Sequence, residues 1–474
     1  MPKPNILFLM SDQLQARVFD PDHPCRTPNI DRVIARGVRV RNAYTPNAIC
    51  SPARASLMTG LLPHNHGMLY VEHNVDPDQS CLRTEHPHFA QHLEKAGYET
   101  AYFGKWHVER SRELDRFGWR THDISTRPAD AAPAEFVLRT DNVHDGYNTT
   151  PLYGVVTNPP EQRPMGAVTK NALGFLQKLG SNGLGTETPW CCFVSLTEPH
   201  DPFICGKEAF DTYDVDSIPI PPNWHDDLAE RPGLYRKAAR IWQHLSDRQK
   251  QEAAACYYAS ITEIDTQFGK IIDAVDRAGQ LENTIICVMS DHGESLGAHG
   301  LYCKNISASE EIYTIPMILA GPGIKNGKTT TARVGLHDLC PTILDLAGAE
   351  AITHPDSKSF SSLVADPDAH ESEYTSGYAE YHGGRYIMTQ RVVWEKNWKF
   401  VFNGFDFDEL YDLDTDPYEL KNLAADPEHH DRVRKMTETM WGVIRETHDK
   451  ALLESQYAIF RIAAVGPNVA KGHA

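Results

Sequence analysis

The sequence has no basic excess, no long hydrophobic run and no paired-cysteine motif, and each absence argues against a class of function. Lysine and arginine number 46 against 64 aspartates and glutamates, a formal charge of −18. Binding a nucleic-acid backbone needs a Lys/Arg-rich face, and no such run offsets the negative field, so no nucleic-acid partner is expected. A small anionic substrate stays open, because local positive charge can outweigh a distant negative surface. No stretch approaches the roughly 18 apolar residues needed to span a bilayer, so no membrane partner is expected. The apolar run Ile6–Met10 is too short for a signal-peptide core, and no small-residue cleavage site follows it. The expected location is therefore cytoplasmic. The ten cysteines include no CxxC pair, and Cys191, Cys192 and Cys287 stand inside apolar runs. That pattern suits buried, reduced thiols rather than disulfides or a structural zinc. No internal repeat or low-complexity tract is present.

What is there suits a globular chain: 474 residues, 41% apolar and 23% charged, long enough for one large domain and a smaller one. Short apolar runs bounded by polar residues read as buried strands at Ile6–Met10, Thr100–Phe103, Cys191–Leu196, Ile285–Met289 and Pro316–Ala320. Helical patterns fall between them. One starts at Thr27-Pro28, with Ile30, Val33 and Ile34 on one face and Gly37 as its stop. Another carries Phe89, Leu93 and Ala96 and ends at Gly97; a long one spans Gln251 to Ala278, and a further one Asp338 to Ala347. Such alternation implies a mostly parallel sheet covered on both faces. From about residue 378 the pattern changes to short aromatic-rich runs, Arg385–Val393, Lys399–Phe402 and Glu409–Leu413, which read as an antiparallel meander followed by a helix after Asp416-Pro417. The expected division is a catalytic domain over 1–375 and a smaller α+β unit over 376–474. Residues 120–165 and 205–235 are Pro-rich and read as long loops.

Four of the buried runs end directly in polar clusters: Ser11-Asp12-Gln13, Gly104-Lys105-Trp106-His107, Thr197-Glu198-Pro199-His200 and Ser290-Asp291-His292-Gly293. Ligands of parallel α/β sheets bind outside the carboxyl ends of the strands. If the strands are parallel, these clusters share one rim. Asp12, Gln13, Asp291 and His292 then offer oxygen and nitrogen donors, a set suited to a hard divalent ion such as Ca²⁺, Mg²⁺ or Mn²⁺. His107 and His200 titrate near neutrality, as acid–base work requires.

A fifth cluster is Cys50-Ser51-Pro52-Ala53-Arg54. Ser51 fits a helix N-cap and Pro52 the first helical position, which sets Cys50 at a helix N-terminus with Arg54 one turn in. Only three residues separate Cys50 from Arg54, against the five of a thiolate phosphatase loop.

This pentapeptide resembles the signature of the formylglycine-dependent sulfatases, members of the alkaline phosphatase superfamily, although the family more often has Ser where Ala53 stands. The resemblance extends in order through Asn5–Asp12, Gly104–His107, Glu198-Pro199-His200, Asp291–Gly300 and Leu410–Pro417. It implies an alkaline-phosphatase-like α/β sandwich with a small C-terminal antiparallel sheet and helix. It implies hydrolysis of sulfate monoesters, aryl sulfates among them, with a phosphonate monoester or phosphodiester hydrolase as the alternative on the same site. A non-catalytic metal- or glycan-binding relative would leave catalytic positions unfilled, and here they are all filled. Cys50, oxidised to formylglycine by a formylglycine-generating enzyme, would join the metal ligands Asp12, Gln13, Asp291 and His292. The metal is expected to be Ca²⁺, with Mn²⁺ or Mg²⁺ as alternatives. In the implied mechanism one hydroxyl of the formylglycine hydrate attacks sulfur, and the other expels sulfate. Arg54, Lys105 and Lys304 would neutralise the transferred group, His107 would contact the hydrate, and His200 would protonate the leaving oxygen. By resemblance to phosphonate monoester hydrolases and choline-sulfatase-like enzymes, Asn74 would touch the substrate. His299 is open between lining the site and packing, and Tyr381, His382 and Arg385 are placed to reach over the cleft. The apolar tail residues Tyr457, Ile459, Phe460 and Ile462 are expected to form a homo-oligomer contact.

Overall fold

A computed structural model describes residues 2–125, 134–140, 151–181, 188–304, 307–384 and 388–454. Arg385 and the tail from Tyr457 to Ile462 lie outside the described residues. The strands, in chain order, are β1 Asn5–Ser11, β2 Gly37–Val40, β3 Glu99–Gly104, β4 Thr121–Asp123, β5 Phe136–Arg139, β6 Tyr153–Val156, β7 Trp190–Leu196, β8 Phe203–Gly206, β9 Thr284–Ser290, β10 Met317–Ala320, β11 Lys328–Thr330, β12 Ser376–Tyr381, β13 Gln390–Glu395, β14 Trp398–Asn403 and β15 Glu409–Asp412.

Eight of them form one sheet in the order β11-β2-β10-β9-β1-β7-β3-β4. All neighbours in it are parallel except β10, which runs antiparallel to both β9 and β2. The apolar runs are continuous because both faces are covered, and alternate residues enter different cores. Leu7, Leu9, Val194 and Val288 face the side packed by the helices Pro28–Ala35, Pro164–Ser181 and Asp247–Arg277. Ile6, Phe8, Phe193 and Cys287 face the side packed by the helices Cys50–Thr59, Phe89–Lys95 and Leu339–Leu346.

Several expectations need correction. Gly37 does not stop the first helix. It opens β2, where an added Cβ would lie 2.0 Å from the Leu319 carbonyl oxygen, so the sheet needs glycine at that close approach. The long helix begins at Asp247, because the Ser246 hydroxyl accepts the Gln249 N–H in a capping box. The segments read as loops are not wholly irregular. Residues 120–165 supply β4 to the main sheet, and β5 and β6 join β8 in a separate three-stranded sheet. Their alternation is too short to register against the surrounding prolines.

The C-terminal sheet is antiparallel, β12-β13-β14-β15. One face, with Tyr378, Val393, Phe400 and Phe402, buries against Met436, Met440 and Ile444 of the helix His430–Glu446. The other, with Ala379, Val392, Trp394 and Val401, packs on Tyr44, Ile312 and Tyr313. No described helix is long and apolar enough to cross a membrane, and all ten cysteines are unpaired.

Candidate metal and anion site

Parallel registers set the rim. Ser11 pairs with Leu196 and with Ser290, and Gly104 with Ser195, so the residues that follow β1, β3, β7 and β9 leave the sheet at one edge. Gly104 turns there with φ +98°, and a Cβ on it would meet the Ser195 carbonyl oxygen at 2.1 Å. Only glycine allows that turn, which delivers Lys105; its N–H donates to the Ser195 carbonyl at 2.9 Å.

Cys50 is the first residue of the helix Cys50–Thr59, every residue of which is buried. The expected cap is not formed. Ile49 holds the N-cap position without a side-chain bond, and Ser51 lies inside the helix, its hydroxyl donating to Glu72 Oε2 at 2.6 Å. The Cys50 sulfur stands 3.1 Å from His292 Nε2 and 3.7 Å from Asp12 Oδ1.

One donor atom each from Asp12, Cys50, Asp291 and His292 lies within 4.8 Å of all the others, and all four residues are buried. Asp291 Oδ1 accepts the N–H groups of Gln13 and His292 at 3.1 and 3.0 Å, which fixes the carboxylate. His292 Nδ1 lies 3.0 Å from the Gly293 carbonyl, which can only accept. Nδ1 therefore carries the proton and Nε2 turns its lone pair toward Cys50 and Asp12. Two oriented carboxylates and one lone-pair-forward imidazole fit a divalent cation. Gln13 is arranged differently from the expectation. Its side-chain oxygen accepts from Lys304 Nζ, and its amide nitrogen donates to Asp201 Oδ1 at 3.1 Å and to Glu294.

Arg54 also departs from its expected place on the transferred group. Its Nε donates to Asp291 Oδ2 at 2.7 Å, and its Nη2 to Asp12 Oδ2 at 3.0 Å. Its Nη1 donates to Ser195 Oγ and the Lys105 carbonyl, each at 2.8 Å. Arg54 locks the two carboxylates together beneath the site. Lys105 Nζ lies 2.6 Å from Asp12 Oδ2. Lys304 Nζ meets, besides Gln13, His200 Nε2 at 2.6 Å. His200 Nδ1 lies 2.7 Å from the Asp201 carbonyl, so its proton sits on that nitrogen and Nε2 accepts from Lys304. His107 Nε2 is 3.0 Å from Glu72 Oε2.

The fields are strong. Burial raises the Cys50 thiol, but Lys105 and then Lys304 outweigh it and hold the thiol well below its usual range. Burial and Cys50 raise Asp12, yet Lys105, with Arg54, leaves its carboxyl far below the usual carboxylate range. Burial lowers the Lys304 amine, while Cys50, Asp201, Asp12 and Asp291 raise it overall. Burial, then Asp201, pushes Glu294 up to about 7. Positive charge gathered around Cys50 makes a pocket for an anion.

The structure thus brings together Asp12, Gln13, Cys50, Arg54, Lys105, His107, His200, Asp291, His292 and Lys304. Asn74 is exposed in a turn, its N–H donating to the Val71 carbonyl at 3.1 Å, next to His73, whose Nδ1 lies 3.3 Å from His107 Nε2. His299 packs away from the metal ligands, its Nδ1 2.7 Å from Asp226 Oδ2. Tyr381 and His382 do not reach over a cleft. Tyr381 is buried, and His382 Nε2 lies 3.6 Å from Glu380 Oε1. Ser195, Glu72 and Asp201 went unrecognised. Ser195 had a signal, a hydroxyl inside the apolar run Cys191–Leu196. Glu72 had none, since it stands on an irregular turn.

Comparison with known proteins supplies the context for this geometry. A family profile described as Sulfatase matches residues 4–349, and one described as N-sulphoglucosamine sulphohydrolase, C-terminal, matches 297–446. The choline-sulfatase of Rhizobium meliloti (strain 1021) is 32% identical, over 96% of this chain and 90% of that protein. The arylsulfatase of Clostridium perfringens (strain 13 / Type A) is 27% identical, over 91% of this chain and 92% of its own. Among solved structures, the phosphonate monoester hydrolase of Silicibacter pomeroyi superposes with a TM-score of 0.78 at 22% identity, covering 95% of this chain and 97% of that one.

Proposed function

The chain belongs to the sulfatase family, with its alkaline-phosphatase-like α/β fold, and is a sulfuric ester hydrolase; from that premise we propose that it works through a formylglycine made from Cys50 and one divalent metal. The observation that carries the reading is the convergence of Asp12, Cys50, Asp291 and His292 on one point beside three cations. When bound, the metal lowers the pKa of an oxygen nucleophile, which the formylglycine hydrate supplies.

The chain's own residues do the rest. Asp12, Asp291 and His292 Nε2 hold the ion, with Arg54 bracing both carboxylates from behind. Lys105 and Lys304 set positive charge where the sulfate oxygens gather negative charge. His107, held by Glu72, orients the attacking group. His200 and Lys304 face each other across 2.6 Å, with the shared proton on the Lys304 side, and this pair protonates the departing alcohol.

Chelation of the purified enzyme should abolish turnover of an aryl sulfate, and re-adding Ca²⁺, Mn²⁺ or Mg²⁺ should restore it to different degrees. Asp291→Asn should lower metal content by elemental analysis, because a ligand charge is lost. A metal-free protein turning over at the full rate would remove the proposal. The same assay run on a phosphonate monoester tests the alternative reading, which rests on the imidazole of His292 in the donor set.

A further inference from the structure

We propose that Glu72, His73 and His107 form a second metal site, which takes a borderline transition ion such as Zn²⁺ and withdraws His107 from the reaction. Glu72 and His73 stand on the loop that follows the signature helix, and His107 meets them from the segment after β3. His73 Nδ1 lies 3.3 Å from His107 Nε2 and 3.3 Å from Glu72 Oε1, and His107 Nε2 lies 3.0 Å from Glu72 Oε2. One donor atom from each residue falls within 4.8 Å of the other two. Zinc bonds of about 2.0–2.1 Å in a tetrahedron separate neighbouring ligands by about 3.3–3.4 Å. The separation of the two imidazole nitrogens is already close to that edge length, and Glu72, which offers Oε1 to His73 and Oε2 to His107, needs only a turn of its carboxylate to complete the set. The two imidazole rings are stacked, 5.2 Å between centroids at 23°.

The chemistry of the set selects the ion. Two imidazoles and one carboxylate favour zinc or its neighbours, whereas Ca²⁺ and Mg²⁺ prefer six or more oxygens. The site is therefore orthogonal to a hard ion held at Asp12 and Asp291. It is also reachable: the His73 side chain is 64% exposed, while those of Glu72 and His107 are 13% and 14% exposed. Solvent can occupy the fourth position, so the ion exchanges. Lys105, which opposes positive charge on His107, is paired with Asp12 at 2.6 Å, and the Glu72 carboxylate supplies negative charge at the site. An ion bound here displaces the proton that His107 Nε2 shares with Glu72, takes the lone pair so freed and moves that ring off the carboxylate. The slowing of turnover rests on the role proposed for His107; the binding does not.

The test is equilibrium dialysis of Zn²⁺ against the holoenzyme, with its hard metal in excess, for wild type, His73→Ala and His73→Cys. Wild type should bind one more zinc per chain than His73→Ala, and His73→Cys should regain it, since a thiolate replaces the lost ligand. In parallel, zinc should slow aryl sulfate turnover, each variant being compared with its own zinc-free rate. The half-inhibiting concentration should rise in His73→Ala by at least on the order of tenfold, the low end of what losing even an outer-sphere partner costs. Equal stoichiometry in wild type and His73→Ala would overturn the site and place any inhibition at the catalytic metal. Zinc bound through His73 without slowing turnover would overturn the withdrawal of His107.

Discussion

At the joint around the two faces of the C-terminal sheet, Arg391 bonds Asp449 at 2.5 Å and lies 3.8 Å from Glu380, His64 bonds Glu380 at 2.9 Å, and Lys399 lies between Glu310 and Glu419 at 2.9 and 2.8 Å. At the rim of the main sheet, Arg54 is likewise shared between two carboxylates, but Lys304 bonds an amide oxygen and an imidazole instead. Both regions bury charge. The joint closes it internally, each cation facing a carboxylate, whereas at the rim the Lys304 amine bonds neutral partners and meets its anions, Cys50, Asp201, Asp12 and Asp291, only at longer range. Buried ion pairs of the first kind hold a geometry and are costly to break. A buried cation whose N–H groups are not tied to a carboxylate can turn them to a developing anion. Arg54 belongs by its contacts to the first kind, although it sits in the second region.

The largest effect expected from breaking this contrast is at His200. His200→Ala should slow poor leaving groups by about 10²–10⁴-fold and activated aryl sulfates only mildly, because only an alkoxide needs the proton badly. That factor corresponds to about 3–5.5 kcal/mol. The ratio of kcat/KM on the two substrates is the measurement, and equal losses would reassign His200 to positioning. At the joint, Arg391→Met should cost about 3–5 kcal/mol in urea unfolding, since Asp449 is left buried and unpaired. Its rate per folded molecule should be unchanged. The double variant Arg391→Met with Asp449→Leu should recover much of the stability.

The smallest effect is a pH dependence. Burial pulls the His64 imidazole down, but Glu380 outweighs it and lifts the pKa to about 9. A pKa raised on folding gives stability that is complete below the unfolded value of about 6.5 and is lost as pH climbs through about 9. The pair should thus contribute up to about 3 kcal/mol at mildly acid pH, fading on the alkaline side. Glu380, held well below its usual range mainly by His64 against its own burial, sets the acid side of the window. His64→Gln should flatten the alkaline limb of denaturation midpoint against pH, and an unchanged limb would show that the pair is neutral to folding.

How far the sequence could be read follows the same division. The strands β1, β3, β7 and β9 were legible because each is a continuous apolar run, and the residues just beyond them were legible as a site because parallel strands share an exit edge. Their orientation was not in the pattern; β10 reads like the others yet runs antiparallel. The joint was invisible, because His64, Glu380, Arg391 and Asp449 are far apart in sequence and look like ordinary surface charges until the fold buries them. Arg54 was found, but its direction was not. Spacing on a helix gives the face a side chain leaves from, not which of two neighbouring charges it meets. Glu72 shows the limit on loops, where a residue with no signature holds His107.

The account turns on position 50. The decisive measurement is mass spectrometry of the peptide carrying residue 50 from active enzyme, with turnover counted per modified chain. The account predicts loss of the thiol, gain of a carbonyl, and activity proportional to the converted fraction, with Cys50→Ala folded and inert. Full activity in protein whose Cys50 remains an unmodified thiol would contradict it.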